Sequence, residues 1–271
     1  MAFVDTPSGV HLWFESAGGG EPLVLVHGWG MSRTVWRYQQ GLATDHRVIA
    51  VDLRGHGRSS APSSGYDFDD FANDLLVLFD HLRLNNVTLL GWSMGAMVAL
   101  TVCSRLRERL AALVLVSGTP KFTAADDYPF GLPAAAAKGL ALRLKKDYPR
   151  AMADFYQGMF AEGELSPEEF RRIKDEVAIA RELPGQETAR ESLASLAAAD
   201  LRHLLPAIDL PVLLVHGSAD AICLPEASRH MAEQLPNARL VILEGVGHAP
   251  FLSRPTEFTA VLTKFLDGIH T

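Results

Sequence analysis

At 271 residues and 48% hydrophobic content, with no low-complexity tract, the chain is long enough to bury one large α/β core, which excludes disorder as its default state. A formal charge of -7 excludes a general nucleic-acid binder, which would gather net positive charge over its contact face. Two cysteines, Cys103 and Cys223, offer neither a disulfide framework nor metal-ligand spacing and read as reduced thiols in or near the core.

The N-terminus carries Asp5 and Glu15 and lacks a basic region followed by an apolar stretch, so it does not read as a signal peptide. No segment approaches the roughly 18 to 20 apolar residues of a membrane span, and a soluble cytoplasmic protein with no membrane association is expected. Phe3 to Asp5 and Val10 to Glu15 flank the turn sequence Thr6-Pro7-Ser8-Gly9 and predict an antiparallel hairpin on a sheet edge. Apolar runs then alternate with helical patterns. The runs are Leu23 to Val26, Val48 to Val51, Val87 to Leu90, Leu113 to Val116, Val212 to Val215 and Leu240 to Leu243, each suited to a parallel strand buried on both faces. Helices are predicted at residues 33–43, 68–83, 94–107, 225–235 and 255–268. This βαβ rhythm implies a doubly wound, mostly parallel sheet.

The rhythm breaks between Gly118 and Pro206, a stretch rich in alanine, charge and helical periodicity. Pro129, Pro133, Pro149, Pro167 and Pro184 divide it into short helices, because proline lacks a donor and clashes with the preceding turn. Residues 119–206 are therefore expected to form a helical cap inserted into a core made of 1–118 and 207–271. Ligands bind beyond the carboxyl ends of parallel strands, and a cap belongs there.

The loops after the strands carry the chemistry. Gly91-Trp92-Ser93-Met94-Gly95 follows a strand and precedes a helix, as a nucleophile elbow does. A serine hydroxyl needs a base to take its proton, and the base needs an anion to fix its tautomer. Asp220 follows the strand ending at Val215, and His248 follows the strand ending at Leu243, so both share the edge of Ser93. The chain order is Ser, Asp, His. Asp200 and Asp209 compete for the acid but follow no predicted strand. Of the ten histidines, His11, His46, His81 and His270 fall in edge or surface contexts, and His27 and His216 suit structural hydrogen bonds. An oxyanion would be met by the N–H of Met94 and by that of Trp29, in the loop His27-Gly28-Trp29-Gly30, whose indole can also wall the acyl pocket. Asp52-Leu53-Arg54-Gly55-His56-Gly57-Arg58-Ser59 lacks both the GxGxxG pattern and a GKS or GKT ending, so it reads as a structural turn rather than a nucleotide loop.

Together HGWG, DLRGHGRS, GWSMG, the Asp220 loop and GHAPF at 247–251 resemble the α/β-hydrolase superfamily over essentially the whole chain. More narrowly, HGWG, GWSMG, Phe122 to Pro129, and GHAPF followed by Pro255-Thr256-Glu257-Phe258 resemble the pimeloyl-acyl-carrier-protein methyl ester esterases of biotin synthesis. The resemblance implies Ser93, Asp220 and His248 as a triad, with Trp29 and Met94 meeting the substrate carbonyl. It implies an acyl channel lined by Phe155, Tyr156, Gln157, Gly158 and Met159, and no cofactor or metal. It also implies an acidic acyl carrier protein as partner, with Arg150 and Arg171 at basic family positions. Asp154 and Pro167 stand at two other such positions, and DLRGHGRS departs from the narrower family's usual loop. A short-chain carboxylesterase, a lactonase or a carbon–carbon bond hydrolase would use the same triad, and a ligand receptor can retain the fold. A haloalkane dehalogenase is disfavoured because serine, not aspartate, occupies the elbow.

Overall fold

Successive residues of the central strands belong to two different apolar cores. Val24, Val26, Leu89, Leu113, Leu115, Val212 and Leu214 join one cluster, while Leu23, Leu25, Leu90, Val114, Val116, Leu213 and Val215 join the other. That period of two is what a strand buried on both faces requires, and it explains why the runs are apolar without alternation. The computed structural model describes residues 2–177 and 182–269; His270 lies outside them.

Eight strands form one sheet: β1 (Ala2–Asp5), β2 (His11–Ala17), β3 (Pro22–Val26), β4 (Arg47–Val51), β5 (Val87–Trp92), β6 (Leu110–Val116), β7 (Val212–Gly217) and β8 (Ala238–Leu243). Their order is β1-β2-β4-β3-β5-β6-β7-β8. The strands from β3 to β8 run parallel, whereas β2 is antiparallel to β4 and β1 to β2. This is the expected mostly parallel α/β sheet with its N-terminal hairpin. The chain leaves β3 toward β4 on one side and later returns to β5 on the other, so β3 and β5 flank the topological switch point.

Helix α1 (Phe68–Leu82) starts at a capping box between Asp67 and Asp70 and stops at Arg83, whose φ of 50° is left-handed. It packs with α2 (Met94–Cys103) in the first core. The helix expected at 33–43 is present as a 3-10 helix, Arg33–Thr44. Between β6 and β7 the chain forms α3 (Ala134–Lys146), α4 (Tyr148–Gln157), α5 (Pro167–Val177) and α6 (Gln186–Ala198). Prolines mark these boundaries as expected: Pro133 caps α3, Pro149 lies in the first turn of α4, and Pro167 opens α5. Among the described residues this stretch has isolated bridges but no strand. Helices α7 (Pro225–Gln234), α8 (Pro250–Ser253) and α9 (Pro255–Ile269) complete the chain.

Two histidines are built into the sheet edge as neutral rings. His27 donates through Nδ1 to the Gly28 carbonyl at 2.8 Å and accepts the Leu53 N–H at Nε2, 3.0 Å away. His56 donates to the Arg54 carbonyl, and the two rings lie 5.3 Å apart. Burial pushes His27 down to about 4 and His56 down to about 3, with contacts to carbonyls opposing it. A second proton on His27 would also set Nε2–H against the Leu53 N–H. Because both folded values lie below the unfolded value near 6.5, their contribution is complete above pH 6.5 and is lost as pH falls toward 4. Each pH unit in that window should cost about 1.4 kcal/mol per histidine. Urea unfolding at pH 7 and pH 5 checks this, and equal stability at the two values would contradict it.

Candidate active site

Ser93 sits between the end of β5 and the start of α2 with φ 55° and ψ -116°, a left-handed conformation that a non-glycine residue adopts at a cost of about 1–3 kcal/mol. The surroundings enforce it. A Cβ on Gly91 would lie 2.2 Å from the Gly95 carbonyl oxygen, and one on Gly95 would lie 2.4 Å from that of Val26. Only glycine permits so close a crossing of strand and helix. The Ser93 N–H is anchored to the Val116 carbonyl at 2.9 Å, which leaves the side chain at the carboxyl end of the sheet.

There Ser93 meets His248. His248 Nε2 lies 2.9 Å from Ser93 Oγ, and its Nδ1 lies 2.7 Å from Asp220 Oδ2. With the proton on Nδ1 donated to the carboxylate, Nε2 accepts the serine O–H. The other Asp220 oxygen accepts the N–H groups of Ile222 and Cys223 at 2.8 and 3.0 Å. Burial alone would raise the Asp220 carboxyl, but the electrostatic attraction between the carboxylate and His248 and the hydrogen bonds from His216 and His248 outweigh it and hold the group well below the usual carboxylate range. Asp220 therefore stays an anion beneath the imidazole. Such a chain can draw the proton from Ser93 as its oxygen bonds to an acyl carbon. The two competing acids are engaged elsewhere, Asp200 with Arg202 and Lys121 and Asp209 with Arg107.

The loop after β3 touches the serine directly, since a Cβ on Gly28 would come 3.1 Å from Ser93 Cβ. The Trp29 N–H finds no acceptor among the described residues, and the Met94 N–H is the first of α2, an amide that a helix leaves without an internal acceptor. Both can therefore donate to a bound group. The Trp29 indole is fixed by its N–H donating to the Ala189 carbonyl on α6 at 3.0 Å and by an edge contact with Phe155 on α4, centroids 4.7 Å apart.

The run from Phe155 to Met159 does not line one wall. Phe155 meets Trp29, Met159 is fully buried, and Tyr156 is buried against Phe160 and Phe170, whereas Gln157 and Gly158 are exposed. Positions three and four apart share a helix face, so a contiguous run at the end of α4 cannot all face inward. Met152, one turn before Phe155, reaches over Gly30 instead. Arg150 and Arg171 are exposed and have no ion-pair partner among the described residues. Arg171 and Lys174 edge an open depression with Phe160 and Phe170.

Three contacts were not foreseen from the sequence. His216 Nε2 lies 3.0 Å from Asp220 Oδ2, and its Nδ1 lies 2.6 Å from Ser228 Oγ, so Asp220 is held by two imidazoles. Trp92 Nε1 donates to the His248 carbonyl at 2.8 Å, tying the elbow to the histidine loop. Glu164 accepts the Gly247 N–H at 2.9 Å. An aromatic residue just before the serine hints at the second of these; the third has no local signal.

A sequence profile described as the alpha/beta hydrolase fold matches residues 21–255. The pimeloyl-[acyl-carrier protein] methyl ester esterase of Nitrosospira multiformis is 33% identical over 263 residues, covering 94% of this chain and 98% of that protein. An esterase from Exiguobacterium antarcticum superposes with a TM-score of 0.92 at 31% identity, covering 98% of this chain and 99% of that one. A bromoperoxidase from Bacillus anthracis superposes with a TM-score of 0.90 at 28% identity, covering 98% and 100%.

Proposed function

The chain belongs to the α/β-hydrolase fold family, and from that premise we propose that it is a serine carboxylesterase whose nucleophile is Ser93, base His248 and acid partner Asp220. The observation that carries this reading is the unbroken chain of 2.9 and 2.7 Å contacts from Ser93 through His248 to Asp220 beside the switch point of the sheet. Ser93 Oγ attacks the ester carbonyl while His248 Nε2 takes its proton. The N–H groups of Trp29 and Met94 hold the oxyanion, where each such donor contributes about 10² to 10³ in rate. Collapse of the tetrahedral adduct expels the alcohol with the proton from His248. Water, deprotonated by His248, then cleaves the acyl-serine and frees the acid.

The substrate in this reading is the methyl ester of pimeloyl-acyl-carrier protein, the ester named for the relative from Nitrosospira multiformis. Residues 119–206 act as a cap on a core of 1–118 and 207–271, and Arg150 and Arg171, with no ion-pair partner among the described residues, present cations to an acidic carrier. A short free ester is the second reading, favoured by Met152 and Phe155 packing tightly on Gly30 and Trp29 beside the serine. Hydrolysis of the carrier-linked ester against p-nitrophenyl butyrate at two salt concentrations decides between them. A preference for the carrier-linked ester that weakens about tenfold from 50 to 500 mM salt is expected of docking through cations. Equal rates at both salts assign the short ester. Neither an acid nor an alcohol product from any ester, lactone or diketone would leave a receptor.

A further inference from the structure

The loop that carries His248 is held from the β6–β7 insertion by two backbone-directed bonds. The Met159 carbonyl accepts the His248 N–H at 2.7 Å, and Glu164 Oε2 accepts the N–H of Gly247 at 2.9 Å and of Ala161 at 2.6 Å. Glu164 is buried, its other oxygen has no hydrogen-bond partner, and among the described residues no cation pairs with it. A carboxylate in such a place has lost its water and has two amide hydrogens in return. Bonds from N–H groups to an ionised acceptor are shorter and about twice as strong as neutral ones. One oxygen thus pins the turn that precedes the base to the 159–164 turn of the insertion. The fit leaves no slack, because a Cβ on Gly247 would meet the Met159 carbonyl oxygen at 2.6 Å, the Ala161 nitrogen at 2.8 Å and Glu164 Oε2 at 3.0 Å.

We propose that Glu164 is a positioning residue for His248, through which the insertion sets the geometry of the base and not only the shape of the acyl pocket. The proposal rests on the esterase reading above. The imidazole must serve Ser93 and Asp220 at once, and a displacement of about 1 Å in such a group can cost about 10²-fold in rate. On the Asp220 side the ring is oriented by the carboxylate, and its carbonyl is fixed by Trp92. Glu164 and Met159 supply the constraint on the N-terminal side of the residue, which neither of those contacts provides.

The test uses the full chain and p-nitrophenyl butyrate. Glu164→Ala should lower kcat about 10- to 100-fold with KM within about threefold of wild type, since the loss is in alignment and not in binding. Glu164→Gln keeps an acceptor oxygen and should return kcat to within about threefold of wild type. Gly247→Ala, which keeps Glu164 but crowds the Met159 carbonyl, the Ala161 nitrogen and Glu164 Oε2 at once, should also lower kcat. The proposal is overturned if Glu164→Ala keeps kcat within about twofold, if the loss falls in KM, or if glutamine is as poor as alanine. Should Glu164→Ala fail to fold, Glu164→Asp, which shortens the side chain by one methylene and draws its oxygen away from Gly247, decides: a kcat loss at unchanged KM sustains the proposal, and an unchanged kcat sinks it. Ser93→Ala measured alongside separates the two layers. An active Ser93→Ala removes the esterase mechanism itself, whereas an inactive one beside an active Glu164→Ala removes only the positioning role.

Discussion

Replacing Ser93 with alanine is expected to lower kcat for ester hydrolysis about 10⁴- to 10⁶-fold, with KM and the unfolding temperature nearly unchanged. The size follows from the division of labour. Without the hydroxyl no acyl-enzyme forms, and only substrate binding and the two amide donors remain to assist direct attack by water. Stability should hold because the side chain is small and its hydroxyl meets only His248 Nε2 and the Cys223 thiol among the described residues, while the backbone strain at φ 55° is the same for alanine as for serine. Initial rates on p-nitrophenyl butyrate, together with labelling by a serine-directed phosphonate, check both halves. A variant retaining more than about 1% of wild-type turnover would remove Ser93 from the mechanism.

The largest expected effect on stability lies in the DLRGHGRS loop. Arg54 and Asp74 are both buried, and the guanidinium grips the carboxylate through two bonds of 2.7 and 2.6 Å while also donating to the Gly65 carbonyl. Burial pushes the Asp74 carboxyl above its usual range in spite of Arg54, while Asp74 and Asp70 raise the Arg54 guanidinium in spite of burial, so the attraction of the pair is set against a desolvation cost. Losing one partner is a different quantity. Asp74→Ala leaves a buried cation with Asp70, at 3.4 Å, as its one remaining anion among the described residues and should cost about 3–5 kcal/mol, a drop of roughly 10 °C in Tm. The double variant Arg54→Met with Asp74→Leu should recover at least half of that. Thermal unfolding of the three proteins decides it, and a double variant no better than the single would show that the pair is worth more than its desolvation cost.

The parts of this molecule that could be read from the sequence are those that repeat locally. Each apolar run from Leu23 to Leu243 is long enough for one strand and ends where the chain turns into a loop, so the order of loops along the chain placed Ser93, Asp220 and His248 on one edge. Proline positions marked the helices of the insertion for an equally local reason. What stayed hidden depends on contacts between distant segments. Glu164 and Gly247 are 83 residues apart, and nothing in the neighbourhood of either announces the other. The Phe155 to Met159 run is a different case. A resemblance carries positions over as a continuous string, whereas a helix turns successive residues away from one another, which put Gln157 and Gly158 outside. His216 was read as a structural hydrogen bonder, and so it is, but its partner is the anion beneath the proposed base.

Among the described residues strand β8 pairs only with β7; it is half-exposed along most of its length, and the His248 loop leaves directly from its end. The serine, by contrast, hangs from β5 in the fully buried middle of the sheet. Opening free energies within one protein range from near zero at frayed edges up to the full unfolding energy in the core. The proposed base therefore follows the more exposed of the two strands, and the proposed nucleophile follows one buried along its whole length. Warmth or denaturant that loosens the last strand is expected to displace the proposed base before the proposed nucleophile, so activity should be lost before the core unfolds.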